Sequence, residues 1–115
     1  GGFSVRHGNQ NLLVPFADIL GFYTGDGNTL LLTWQHKKYF PDKSLDRIEI
    51  LLPAELFFRL NRQYIVHRKA ITGFKRTGDG KIDVLLDAPE NFPPAIPVSR
   101  TKAVNFKNWF QSAES

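Results

Sequence analysis

The run Leu56-Phe57-Phe58-Arg59-Leu60-Asn61-Arg62-Gln63-Tyr64-Ile65-Val66-His67-Arg68 sets three arginines and a titratable histidine among aromatic and β-branched residues. Phe, Tyr, Ile and Val favour the pleated backbone, so these cations sit in a segment built to be a strand. A guanidinium on a stiff sheet presents a planar fork of donors, which matches phosphate oxygens or the O6 and N7 of guanine. From Arg59 to Arg76 there are six fixed cations (Arg59, Arg62, Arg68, Lys69, Lys75 and Arg76), together with His67, and no acid. The carboxylates lie elsewhere, six of them between Asp18 and Glu55 and four between Asp79 and Glu90. With a net charge of +4 and a pI near 9.6, this segregation points to an anionic polymer as partner. A competing reading has Arg59 and Arg62 solvated or paired with Asp46, Glu49 or Glu55, as exposed ion pairs commonly are.

Other chemistries find no constellation. His7, His36 and His67 fall in separate segments without metal-ligand spacing, and the serines form no nucleophile elbow. Gly25-Asp26-Gly27 and Gly78-Asp79-Gly80 lack the further ligands and glycine spacing of calcium or phosphate loops; hairpin turns account for both. Neither an enzyme nor a bound cofactor or metal is expected. The absence of cysteine excludes disulfides and thiolate sites. No apolar stretch reaches membrane-spanning length and the start lacks a signal-peptide core, so the expectation is a cytoplasmic protein with no membrane partner.

The cations must be positioned by strands. Phe3–Arg6 and Asn11–Val14 flank the turn signal Gly8-Asn9, and Phe16–Asp18 reads as a short link. Ile19–Thr24 pairs across Gly25–Asn28 with Thr29–Gln35, where Leu30-Leu31-Leu32 implies cover on both faces, and a turn at His36-Lys37 precedes Lys38–Phe40. Ser44 caps a helix carrying Leu45, Ile48 and Leu52 on one face until Pro53. Phe57–Val66 is either one strand or two with a bend at Asn61-Arg62-Gln63, which would project Arg62 from a stiff support. Ile71–Arg76 and Lys81–Leu86 form a hairpin, Ala88–Pro97 an extended loop with four of the seven prolines, and Ile96–Val98 a last strand. Ser99 caps a closing helix with Ala103, Phe106 and Phe110 on one face and Trp109 beside them. One domain of 115 residues suffices. It is expected over 3–111, with Gly1-Gly2 a cloning remnant or linker and 112–115 a flexible tail.

Four elements in order resemble the LytTR DNA-binding domain, the output module of many bacterial response regulators. Phe57-Phe58-Arg59-Leu60-Asn61-Arg62-Gln63-Tyr64-Ile65-Val66-His67 is similar to the family's central signature. Val14-Pro15-Phe16-Ala17-Asp18-Ile19, Lys43-Ser44-Leu45 and Pro97-Val98-Ser99-Arg100 match its early proline element, its serine-leucine helix start and its valine-serine-arginine element. Asn61, Gln63 and His67 depart from the usual histidine, serine and asparagine, which bears on the base edges read. The resemblance implies a mainly β fold, an elongated β-sandwich of short strands with two short helices, that reads DNA through loops.

The base-reading positions it implies fall here at Asn28, Arg62 and Arg100. Arg68, Lys69, Lys75 and Lys102 are candidate phosphate contacts, and Asn61, Gln63 and His67 are contacts or supports. Arg59 is either a contact or a brace for the loops. Phe57, Phe58 and Tyr64 belong to the core rather than to a base-stacking surface. The resulting expectation is sequence-specific binding of duplex DNA at promoter direct repeats, with an upstream receiver or sensor domain and two copies acting together. Two rivals remain open at this point. One is a β-rich protein–protein interaction module using the same run as a hot spot. The other is an OB-type single-strand binder stacking bases on Trp34, Tyr39 and Phe40.

Overall fold

The computed structural model describes residues 1–89 and 92–112. The chain runs β1 (Gly2–His7), β2 (Gln10–Pro15), a 3-10 turn, β3 (Ile19–Gly25), β4 (Asn28–Thr33), β5 (Lys38–Tyr39) and α1 (Leu45–Leu51). It continues through β6 (Phe57–Arg59), β7 (Tyr64–His67), a second 3-10 turn, β8 (Ile71–Gly78), β9 (Lys81–Leu86), β10 (Ala95–Val98) and α2 (Arg100–Gln111). Three sheets result: the hairpin β1-β2, a five-stranded sheet in the order β5-β4-β3-β7-β6, and a three-stranded sheet in the order β10-β9-β8. The molecule is elongated, with extents of 48 × 35 × 26 Å.

The five-stranded sheet is covered on both faces, as the Leu30-Leu31-Leu32 run implies. Ile19, Phe22, Leu31, Phe57 and Ile65 face one core, closed by Phe3, Val5 and Val14 of the hairpin and by Leu45 and Ile48 of α1. Leu20, Leu32, Leu60 and Val66 face the other, closed by the β8-β9-β10 sheet and by Ala103 and Phe106 of α2. Neighbours in sequence therefore serve opposite cores, because successive strand side chains point to opposite faces. Phe106 is fully buried between Phe58 and Phe74, with ring centroids 5.4 and 5.9 Å away. Burial of such a ring stabilises the fold by about 2–3 kcal/mol, which docks α2 onto the sheets.

Both helices start where a serine offers an acceptor: Ser44 Oγ takes the Arg47 N–H at 3.2 Å, and Ser99 Oγ takes that of Lys102 at 3.3 Å. The hairpin turns Asp26-Gly27 and Asp79-Gly80 have positive φ at both positions, the geometry that matches strand twist.

Differences from the sequence reading are local. β4 stops at Thr33, not Gln35, because the Thr33 side chain and backbone bind Lys37 and turn the chain one residue pair early. Gly2 is already paired, with Pro15, a residue before the expected start. β10 opens at Ala95, inside the expected loop. Residues 90–91 of that loop and 113–115 of the expected tail 112–115 lie outside the described residues. Ser112 is described and closes α2, its N–H donating to the Asn108 carbonyl at 3.1 Å and its Oγ to that of Trp109 at 2.6 Å. Of the two readings of 57–66, the bent one holds: β6 ends at Arg59 and β7 begins at Tyr64.

Candidate nucleic-acid interface

The bend at 60–63 is a built loop, closed by the Leu60 N–H donating to the Tyr64 carbonyl at 2.9 Å. Arg59 holds it from beneath. Its Nε donates to the Asn61 carbonyl at 3.0 Å and its Nη2 to the Arg62 carbonyl at 3.1 Å. Nη1 reaches Asp46 at 2.5 Å and Glu49 at 3.3 Å, two carboxylates one turn apart on α1. The hydrogen bond and charge of Arg59 hold the Asp46 carboxyl below its ordinary range, and Arg62 adds to this. Arg59 is thus ion-paired with Asp46 and Glu49, as the competing reading had it, and all three guanidinium nitrogens donate within the protein. Arg62 is exposed, and among the described residues its guanidinium makes no hydrogen bond.

Two further hydrogen bonds tie this loop to its neighbours. The Thr24 N–H, at the end of β3, donates to the Gln63 carbonyl at 3.0 Å. On the other side Asn61 Nδ2 donates to the Pro97 carbonyl at 3.1 Å, while Asn61 Oδ1 accepts the Gln63 N–H at 2.8 Å. The loop carrying Arg62 is therefore linked to the end of β3, which leads through the turn to Asn28 at the start of β4. It is also linked to β10, which leads to Arg100 at the start of α2 rather than in a loop. Asn28 and Arg62 line one open cleft of about 1360 Å³. Arg100 lies outside it, at the start of α2 and against the β8-β9 turn. Its stem crosses Gly80 so closely that a Cβ there would stand 2.6 Å from Arg100 Cγ. All three side chains are exposed. The sequence marks Gly80 only as a turn former; no local pattern announces a side chain from twenty residues on.

Several other expected residues turn inward. Asn61 has both amide atoms engaged within the protein. His67 is only 2% exposed, which takes its imidazole out of reach of a phosphate. Its Nδ1 accepts the Lys69 N–H at 3.0 Å and its ring meets Phe57 edge-on, so it caps the turn at Arg68–Ala70. Burial first, then Lys69 and Arg68, push its pKa down.

Arg68, a candidate phosphate contact or support, is also bonded within the protein. Nε donates to the Glu55 carbonyl at 2.8 Å and Nη1 to that of Trp109 at 2.9 Å, with the guanidinium 3.7 Å from the Trp109 ring centroid. It staples the segment before β6 to the end of α2. Lys69, Lys75 and Gln63 are exposed; Lys102 is half-buried over the Phe58 ring.

Trp34 packs against one core and Tyr39 against the other, so they form no common stacking platform for a single strand. Among the described residues no group of three or more potential metal ligands comes together, and no helix is long and apolar enough to cross a membrane.

A family model, LytTr DNA-binding domain, matches residues 9–111. The chain belongs to that family. In structure the LytTr chain is similar to a solved LytTr DNA-binding domain from Bacillus cereus, with a TM-score of 0.71 over 93% of this chain and 94% of that one, at 21% identity. The fold expectation, mainly β with two helices, is thereby borne out. In sequence it is similar to the heme-containing CO-sensing transcriptional regulator RcoM 1 of Paraburkholderia xenovorans (strain LB400), 25% identical over 99 residues. That match takes in 86% of this chain and only 36% of the relative, so the chain spans about a third of that protein's length. The family assignment disfavours both the interaction-module and the OB-type readings.

Proposed function

We propose that this LytTr domain is the sequence-reading effector of a bacterial transcriptional regulator, binding duplex DNA through three tied segments, the start of β4, the 60–63 loop and the start of α2. Arg62 and Arg100 each fork onto guanine O6 and N7, and Asn28 pairs with adenine. The observation that supports this reading is the pair of hydrogen bonds, Thr24 to Gln63 and Asn61 to Pro97, which tie together the segments leading to three exposed side chains. Lys69, Lys75 and Lys102 supply phosphate contacts, which position the domain without specifying sequence. Arg59, Asn61, His67 and Arg68 act from within.

The similarity to part of a longer transcriptional regulator supports a receiver or sensor domain upstream in the same regulator. That domain would bring two copies onto direct repeats in the promoter. The same reading puts the protein in the cytoplasm, where bacterial DNA lies, and gives it no catalytic step.

Selection from random duplex DNA tests the proposal. The expected result is a short enriched motif whose affinity falls steeply with salt. Recovery of no motif, or equal affinity for single strands and duplexes, would overturn it.

A further inference from the structure

The cleft beside Asn28 and Arg62 extends well past the reading loops. Its far wall is the β1-β2 hairpin, which contributes Arg6 and Asn11, directly opposite each other in the strand register. Its other wall is the segment leading into α1, which contributes Lys43. Neither Arg6 nor Lys43 belongs to the basic run; the sequence marks Lys43 only as part of the helix start Lys43-Ser44-Leu45, and Arg6 only as the end of a strand. Arg59 and Asp46 meet in the cleft but neutralise each other. What remains on the lining is three cations, Arg6, Lys43 and Arg62, against one carboxylate, Asp42.

We infer that this cleft seats a stretch of the DNA sugar-phosphate backbone flanking the bases read, with Arg6 and Lys43 as phosphate contacts. The inference rests on the proposed function, since a duplex that engages Asn28 and Arg62 lies across the cleft mouth. An open, polar, net-positive channel continuous with two reading residues has the chemistry of a backbone track. Arg6 offers the planar fork that phosphate oxygens accept in pairs, and Lys43 a point charge. The Phe40 ring, 59% exposed on the same lining, gives an apolar wall suited to deoxyribose. Asp42 works against the track. It sits at φ 56°, a conformation asparagine also tolerates, so its charge can be removed without disturbing the backbone.

The test measures binding of the wild-type chain, the double variant Arg6→Ala/Lys43→Ala, and Asp42→Asn. The probes are the selected duplex, single-base variants of it and an unrelated duplex, each across a salt series. The double variant should bind every duplex at least about tenfold more weakly, with the same order of preference and a log–log salt slope smaller by about two. Asp42→Asn should bind all of them a few-fold more tightly. Both side chains are exposed, so thermal melting should be unchanged. An unaltered salt slope in the double variant, or a loss confined to particular base sequences, would overturn the inference. If the wild type itself discriminated no duplex, the base-reading proposal would fail, and the slope comparison would still report whether the cleft holds a polyanion.

Discussion

Arg59 has Nε, Nη1 and Nη2 all donating inside the protein, to two backbone carbonyls and two carboxylates. Arg62, three residues on, makes no such bond among the described residues and stands exposed at the same loop. The division repeats farther along: Arg68 is spent on Glu55, Trp109 and the indole face, whereas Arg100 lies exposed with its stem across a glycine. A basic run is therefore two populations with one charge. One set uses the fork to satisfy carbonyls that an irregular loop would leave unpaired. The other is held by that scaffold with its donors free for a ligand. Counting cations overstates the ligand-facing surface, and ignoring the internal ones misses what keeps it rigid.

That contrast can be broken by substitution. Arg59→Ala should have the largest total effect, because it removes the loop's support and leaves Asp46 and Glu49 without their partner. A loss of about 2–3 kcal/mol in denaturant stability is expected, accompanied by weaker DNA binding. Arg62→Ala and Arg100→Ala should each cost about 1–3 kcal/mol of specific binding while unfolding free energies stay within about 0.5 kcal/mol of wild type. If Arg59→Ala and Arg62→Ala gave the same pattern in both assays, the division would be wrong.

Gly80→Ala should lower stability by about 1 kcal/mol, from its φ of 77°, and should also weaken binding by displacing the Arg100 stem. The binding loss should vanish when Arg100 is already alanine, as read in a double-mutant cycle.

The smallest effect concerns pH. Burial lowers the proton affinity of His67 in the fold, while the unfolded chain keeps a value near 6.5. Stability contributed here is thus flat above about pH 6.5 and falls as pH drops below it, where the unfolded state takes up the proton first. His67→Asn should flatten the slope of stability between roughly pH 7 and 5.5, since asparagine can keep an acceptor for the Lys69 N–H without titrating.

Much of the architecture was legible in the chain. Paired Asp-Gly turns located two hairpins, serine caps located both helix starts, and the three consecutive leucines announced a sheet buried on both sides. The strand end at Thr33 was not legible, because it depends on a side-chain hydrogen bond to Lys37 that competes with continued pairing. At the candidate site the residue types were legible in the chain and their hydrogen-bond partners were not. The fates of Arg59 and Arg68 are set by acceptors up to 41 residues away, among them the Trp109 carbonyl, and no spacing rule reaches that far. Arg6, Lys43 and Gly80 were missed for the same reason: only the fold brings them beside Arg62 and Arg100.

The most direct test is to titrate wild type and Arg62→Ala against the selected duplex and a panel carrying every single-base change. If Arg62 reads a base from a scaffold held by Arg59, the variant should lose discrimination at one base pair and keep it elsewhere. A uniform loss across all positions, or discrimination unchanged at every position, would contradict the account.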